Sequence, residues 1–290
     1  MKDYTIATAS TADLEREWLD AHGIPFISYT FTMNDEVYED DCKEETKEVL
    51  YRKMREGIMP NTSQISTYHY EEFFRSLMQA GKDVIFADMS RAISVSIQNA
   101  EAAAKTVQEE FPDQRLYFLD SFCITGGLAM LIREMTAMKE SGASFDEVVA
   151  WAEAKKKKIV HRFTVNDLIW LKKGGRLSNI SAVVGTILSL KPLMVVDEEG
   201  KLVAFETVRG RKKALLRLVD SMANDLDPQA DTFSVYHSDC EKDAKFVAEA
   251  VRSKYPQFKE GTIHTEGPVI GAHVGPDFIA VFYHGKERAQ

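Results

Sequence analysis

Only three cysteines, Cys42, Cys123 and Cys240, occur in the 290 residues, far apart and with no CxxC pair. Such spacing encodes neither a disulfide framework nor a thiolate zinc site. Positive charge is also scarce: 36 Lys and Arg face 45 Asp and Glu, a formal charge of −9. Nucleic acid, which needs a basic stripe, is excluded as the main partner. No window approaches the roughly 20 apolar residues of a membrane span. The opening MKDYTIATAS has too short an apolar stretch for a signal peptide, so a cytoplasmic protein is expected. The patterns GxxxxGK[ST], GxGxxG and HExxH are missing, and with them any announced nucleotide or metal site. Repeats, low-complexity segments and coiled-coil heptads are absent too, and a monomer is expected.

What is present is alternation. Residues 4–8 read as a short buried strand, followed by a turn over 10–13 and an amphipathic helix over 13–22. Strand-like runs recur at 24–31, 83–88 and 115–120, and helical patterns at 43–56, 67–80, 93–111 and 127–141. Strands alternating with helices predict a parallel sheet with helices on both faces. Ligands of such sheets sit beyond the carboxyl ends of the strands. The loops after Thr8, Asp88 and Asp120 each carry hydroxyls at once: Ser10 and Thr11, Ser90 and Ser94, Ser121 and Thr125.

From about residue 161 the pattern changes. A helix over 145–160 ends in four lysines, Lys155 to Lys158, whose charge suits a helix C-terminus. A helical stretch over 180–188 follows, then a hairpin pairing 191–197 with 201–208 across the turn EEG. A helix over 210–225, a strand over 232–237, a helix over 241–254 and a closing strand over 278–284 complete a second α/β unit. The expected organisation is two α/β domains, 1–160 and 161–290.

Four places carry chemistry. PNTSQIS (60–66) offers Thr62, Ser63 and Ser66 just ahead of a helix. Hydroxyl donors and a helix N-terminus together favour an anionic oxygen group, and the same residues also make an ordinary helix cap. Ser94, in DMSRAISVS, reads as an anion-binding hydroxyl, a cap or a nucleophile, but GxSxG is absent around it. GPVIGAHVGPD (267–277) sets His273 among glycines, free to donate to an anion, shuttle a proton or satisfy a loop carbonyl. LKKGGRLS (171–178) ends a helix on a double glycine and places Arg176 just beyond, a fork suited to phosphate or carboxylate.

Taken in order, PNTSQIS, ISVSIQNA, DSFCITGG, LKKGGRLS, LSLKPLMVVDEEGKL and GPVIGAHVGP resemble the DegV family across nearly the whole chain. These are bacterial fatty-acid-binding proteins that include the acyl-carrier subunits of fatty acid kinase. The resemblance implies a two-domain DegV-like fold, N-terminal parallel-sheet domain plus C-terminal α/β domain, with the ligand between them. It implies a long-chain fatty acid as the ligand and no cofactor. The carboxylate is to be held by Thr62, Ser63, Ser94 and His273, with Arg176 on a phosphate- or partner-facing side. A separate fatty acid kinase catalytic subunit is the implied partner, with peripheral membrane contact for lipid exchange and no catalytic residue on this chain. Departures from the family pattern are Val95 in place of a glycine, Thr125 in place of a serine, Ala129 in place of a glycine, and Asp277 where a glycine is usual. Two other readings stay open: a serine hydrolase or acyltransferase using Ser94 with His273 as base, and a lipid-responsive adaptor.

Overall fold

The run DVIFAD is buried at every position, as a strand covered on both faces must be. It is the centre of the first of three sheets in a computed structural model that describes residues 3–176 and 190–286. The chain begins with β1 (Tyr4–Ala9), a 3-10 turn (Ser10–Ala12), α1 (Arg16–Ala21), β2 (Phe26–Ile27), β3 (Thr30–Met33) and β4 (Glu36–Glu39). It continues with α2 (Glu44–Arg55), β5 (Asn61–Ser63), α3 (Thr67–Met78), β6 (Asp83–Asp88), α4 (Ser96–Glu110), β7 (Leu116–Asp120), α5 (Thr125–Glu140) and α6 (Phe145–Lys155). The remainder is β8 (Ile159–Thr164), α7 (Ile169–Lys173), β9 (Leu190–Val196), β10 (Leu202–Arg209), α8 (Arg211–Ser221), β11 (Thr232–His237), α9 (Glu241–Lys254), β12 (Glu260–Thr265), α10 (Pro268–Val274) and β13 (Ile279–His284).

Strands β2-β1-β6-β7 form the parallel sheet, and β4-β3-β5 a small antiparallel one. The third sheet, β10-β9-β8-β13-β11-β12, is antiparallel except for the β11–β12 pair. The helices follow their spacing: α2 buries Lys47, Leu50, Tyr51 and Met54, one face of a 3.6-residue period. Ser144 and Glu147 close a capping box at the start of α6. Among the described residues no helix is long and apolar enough to cross a membrane.

Most expected elements are where their periodicity puts them, with ends shifted by a few residues. Three segments differ. The run 24–31 is not one strand: β2 stays in the parallel sheet and β3 leaves for the small one. The break falls at Tyr29, whose N–H donates to the Ser10 hydroxyl (3.1 Å) and whose carbonyl accepts from Asp40 (2.9 Å). The helix over 145–160 stops at Lys155, and Ile159 already begins β8. The glycine-rich 268–274 is α10, with Pro268 in its first turn. The helical reading of 180–188 lies outside the described residues.

Helix α5 ties the parallel sheet to the large one. Its N-terminal glycines lie directly on the second sheet: a Cβ at Gly126 would fall 2.5 Å from Phe282 and Tyr236, and one at Gly127 2.1 Å from His161 Nε2. His161 is fully buried and its Nε2 accepts the Ile124 N–H at 3.2 Å, so the ring has no room to yield. Gly127→Ala is therefore expected to cost about 1–3 kcal/mol as an overpacked site. Urea unfolding measures it, and an unchanged midpoint would refute the close approach.

Candidate functional site

The segment PNTSQIS divides its labour. Ser66 is the N-cap of α3, its hydroxyl accepting the His69 N–H at 3.3 Å. Thr62 and Ser63 lie instead on β5, paired to Phe31 and Thr30 of β3. Both residues line a cavity of about 140 Å³ between the carboxyl end of β6 and helix α10. The helix start beside them is thus spent on its own cap, and the donors facing the cavity are side chains.

The wall of the cavity is mixed in chemistry. Its polar lining is Tyr29, Thr62, Ser63, Gln64, Ser94, Ser96, Arg176 and His273. Its apolar lining is Met89, Ile93, Ile124, Leu171, Leu202, Val269, Ile270 and Val274. No acidic residue is among the described residues that line it. A second recess of about 360 Å³ adjoins it, sharing Gln64, Ile93, Ser94, Arg176 and Leu202 and adding Arg91 and the half-exposed Val95.

Residues 62, 63, 94, 176 and 273, far apart in the chain, therefore meet around one space. His273 Nε2 and the Thr62 hydroxyl are hydrogen-bonded at 2.9 Å. Its Nδ1 lies against Gly174, where a Cβ would fall 2.1 Å away, and has no hydrogen-bond partner among the described residues. Burial, reinforced by the nearby Arg176 charge, lowers the His273 pKa to about 4. The imidazole is neutral at physiological pH. Arg176 donates to the backbone carbonyls of Ile93 and Gly174 and makes no ion pair among the described residues. Burial pulls its pKa down, since no carboxylate offsets the lost hydration.

Ser94 is buried just ahead of α4, and its hydroxyl accepts the Ser96 N–H at 3.3 Å. Among the described residues no hydrogen bond joins Ser94 to His273, whose Nε2 is held by Thr62. A nucleophile–base pair is thus not assembled here. Asp277 takes up a left-handed backbone, φ 65°, the conformation that glycine adopts freely. Its carboxylate is gripped by both terminal nitrogens of Arg55 (2.7 and 2.9 Å), and it is not among the residues lining the cavity. Sequence reasoning missed Gln64, Ser96 and Tyr29, the last fully inside an expected strand and yet part of the cavity lining. A strand pattern gives no signal for a side chain that leaves the sheet.

Neutral hydroxyl and imidazole groups and the Arg176 guanidinium, without an ion pair among the described residues, share one space with apolar side chains. Such a space suits an anionic oxygen head on an apolar body.

A family model described as "Uncharacterised protein, DegV family" matches residues 3–286. A DegV domain-containing protein of Clostridium perfringens is 35% identical over 290 residues, covering 99% of both chains. Among solved structures, a DegV family protein of Thermus thermophilus, whose description reports fatty acid binding, superposes with a TM-score of 0.86 at 27% identity, covering 98% of this chain and all of the other. DegV of Bacillus subtilis, described as a fatty acid binding protein, gives a TM-score of 0.84 at 26% identity, covering 99% of this chain and 100% of that one.

Proposed function

The chain belongs to the DegV family, and from that premise we propose that it carries a long-chain fatty acid whose carboxylate is held by Thr62, Ser63, Ser94 and His273. The observation that carries this reading is one cavity whose described lining brings hydroxyl and imidazole groups together with eight apolar side chains and includes no acid. A carboxylate placed there meets neutral hydroxyl and imidazole groups beside the Arg176 guanidinium. Each buried methylene contributes about 0.8 kcal/mol, so a long acyl chain gains on the order of 10 kcal/mol before ordering costs. The head group then needs only enough donors to avoid being stranded.

The size of the cavity limits how the tail enters. At about 140 Å³ it has the liquid volume of roughly five waters, room for the head group and a few carbons. A longer tail enters by displacing the surrounding apolar side chains, and the unbranched Met89 is suited to yield.

The carrier presents its bound carboxylate to a separate ATP-dependent kinase, which makes the acyl-phosphate. Arg176, without an ion pair among the described residues and shared by the cavity and the second recess, faces the phosphate or the partner. Lipid is exchanged by peripheral contact with a membrane.

Native mass spectrometry of the purified protein, followed by solvent extraction, tests the reading. One fatty acid per chain is expected, and Thr62→Val or Ser94→Ala should retain about tenfold less in competition, the effect of one lost hydrogen bond. A chain that emerges empty and stays empty when offered fatty acids would remove the proposal. Adding a fatty acid kinase catalytic subunit and ATP should convert the bound acid to a hydroxylamine-trappable acyl-phosphate.

A further inference from the structure

Behind the head-group donors a chain of buried hydroxyls leads from the cavity to a buried carboxyl. Tyr29 lines the cavity together with Ser94 and Ser96. Its oxygen lies 3.4 Å from the Tyr70 hydroxyl. Tyr70, on α3 and fully buried, donates to Asp88 Oδ2 at 3.0 Å. Asp88, at the end of β6 and fully buried, also accepts the Thr11 hydroxyl (3.2 Å) and the Met89 N–H (2.7 Å) on Oδ1. Among the described residues it has no cationic partner.

We propose that Tyr29 is a further head-group donor, positioned by Tyr70 and Asp88, and that an ionised carboxylate binds together with a proton taken up at Asp88. This rests on the carrier reading and extends it to the charge state of the site.

Counting protons makes the case. Without ligand, the Tyr29–Tyr70 and Tyr70–Asp88 contacts are served by two phenolic protons. Burial raises both phenols, so neither proton leaves at physiological pH. A carboxylate against Tyr29 makes a third contact between oxygens but brings no proton. Tyr29 then has one proton with which to serve both the ligand and Tyr70, and an ionised acid sits at each end of the chain. A single added proton completes the chain: Asp88 donates to Tyr70, Tyr70 to Tyr29, and Tyr29 to the ligand. Asp88 is the group able to take it, since burial raises its pKa to about 7.

The groups facing Asp88 allow this. The turn before α1 contributes the neutral Thr11, and α3 the neutral Tyr70. Strand β7 contributes Asp120, which opposes Asp88 in register and is held by Arg91 at 2.6 Å. The carboxylate of Asp120 favours the protonated form of Asp88. His273 faces the head group from the other side and is the rival proton acceptor.

Calorimetric titration with palmitate, in two buffers of different ionisation heat, reads the proton directly, and hexadecanol serves as the control lacking a carboxylate. Wild-type protein is expected to take up close to one proton at pH 8 and almost none at pH 6. Its palmitate affinity should fall about tenfold per pH unit above 7, the slope of one linked proton. Asp88→Asn supplies a fixed donor, and should abolish both the uptake and the slope. Tyr29→Phe should bind palmitate about tenfold more weakly and hexadecanol as wild type does. Tyr29→Phe and Tyr70→Phe each lose one hydroxyl, and they decide the matter if Asp88→Asn does not fold.

Palmitate binding without proton uptake overturns the relay and leaves the carrier reading standing. So does uptake that survives in Asp88→Asn and vanishes in His273→Gln, and so does a Tyr29→Phe variant that binds palmitate normally. A wild-type protein that binds no palmitate at all overturns both.

Discussion

Lys47→Met is expected to destabilise the folded chain by about 3–5 kcal/mol at neutral pH, the usual effect of removing one partner from a buried charge cluster. Lys47 is 3% exposed, on the inner face of α2, and its Nζ donates to the Thr265 carbonyl at 3.1 Å. Burial alone would lower its pKa, but Glu44, Asp13 and Asp40 outweigh burial and hold it above its ordinary value. Asp13 and Glu266 are buried with their carboxyls facing each other, and Thr125 completes the cluster. Burial raises all three acids: Asp40 to about 7, with the Asp13 charge adding to the shift, Asp13 itself, and Glu266 well above the carboxylate range. Asp13 follows β1 and Glu266 precedes α10, so the cluster joins the parallel sheet to the helix that carries His273.

The pH dependence has a definite sign. A carboxyl raised on folding binds its proton more tightly in the native state. Its contribution is fully present below the unfolded value near 4 and is lost as pH rises through the folded value. For Asp40 that window runs from about 4 to about 7, and Glu266 extends it upwards. Urea unfolding of the wild-type protein should therefore show stability falling between pH 5 and pH 8. In Lys47→Met the acids lose their cation and rise further, so the fall should be steeper and the cost of the substitution smaller at pH 5 than at pH 8. An equal cost at both values would mean that Lys47 acts through packing rather than charge.

That cluster was not legible in the sequence, and the reason is instructive. Asp13 read as a turn residue, and Asp40 and Glu266 gave no signal at all, because burial of a polar side chain depends on what folds over it. Helix spacing, by contrast, is local, and the helices placed by periodicity are found with small boundary shifts. The strand β8 escaped because IVHRFT is buried at every position and shows no alternation, so the lysine run before it seemed to belong to one long helix. Helix α10 escaped because glycines suggested a loop, where they in fact provide close approach: a Cβ at Gly271 would lie 2.4 Å from the Tyr51 hydroxyl. For the site, each segment showed its chemistry, but no window of sequence shows that Thr62, Ser94, Arg176 and His273 converge. Their grouping came from resemblance, and the cavity now supplies a geometric ground for it. Tyr29 came from neither.

Gly174→Ala is expected to weaken fatty-acid retention by about 10- to 100-fold while leaving thermal stability nearly unchanged, the cost of losing a buried head-group donor. The backbone at Gly174 is an ordinary C-cap, φ −72° and ψ −5°, which alanine adopts without strain. Its new Cβ would nevertheless fall 2.1 Å from His273 Nδ1. A ring at the edge of a cavity can rotate away, so the fold survives and the 2.9 Å bond to Thr62 does not. Gly175→Ala gives the opposite signature. Gly175 has φ 72°, with nothing within 4 Å of a built Cβ. Alanine there should cost about 1–2 kcal/mol of stability from backbone strain and leave the His273 ring in place. Extraction of bound lipid from the two variants, alongside their melting curves, separates the cases. Loss of ligand in both would assign the effect to the loop as a whole. Retention by Gly174→Ala would remove His273 from the head-group site and leave Thr62, Ser63 and Ser94 to hold the carboxylate without it.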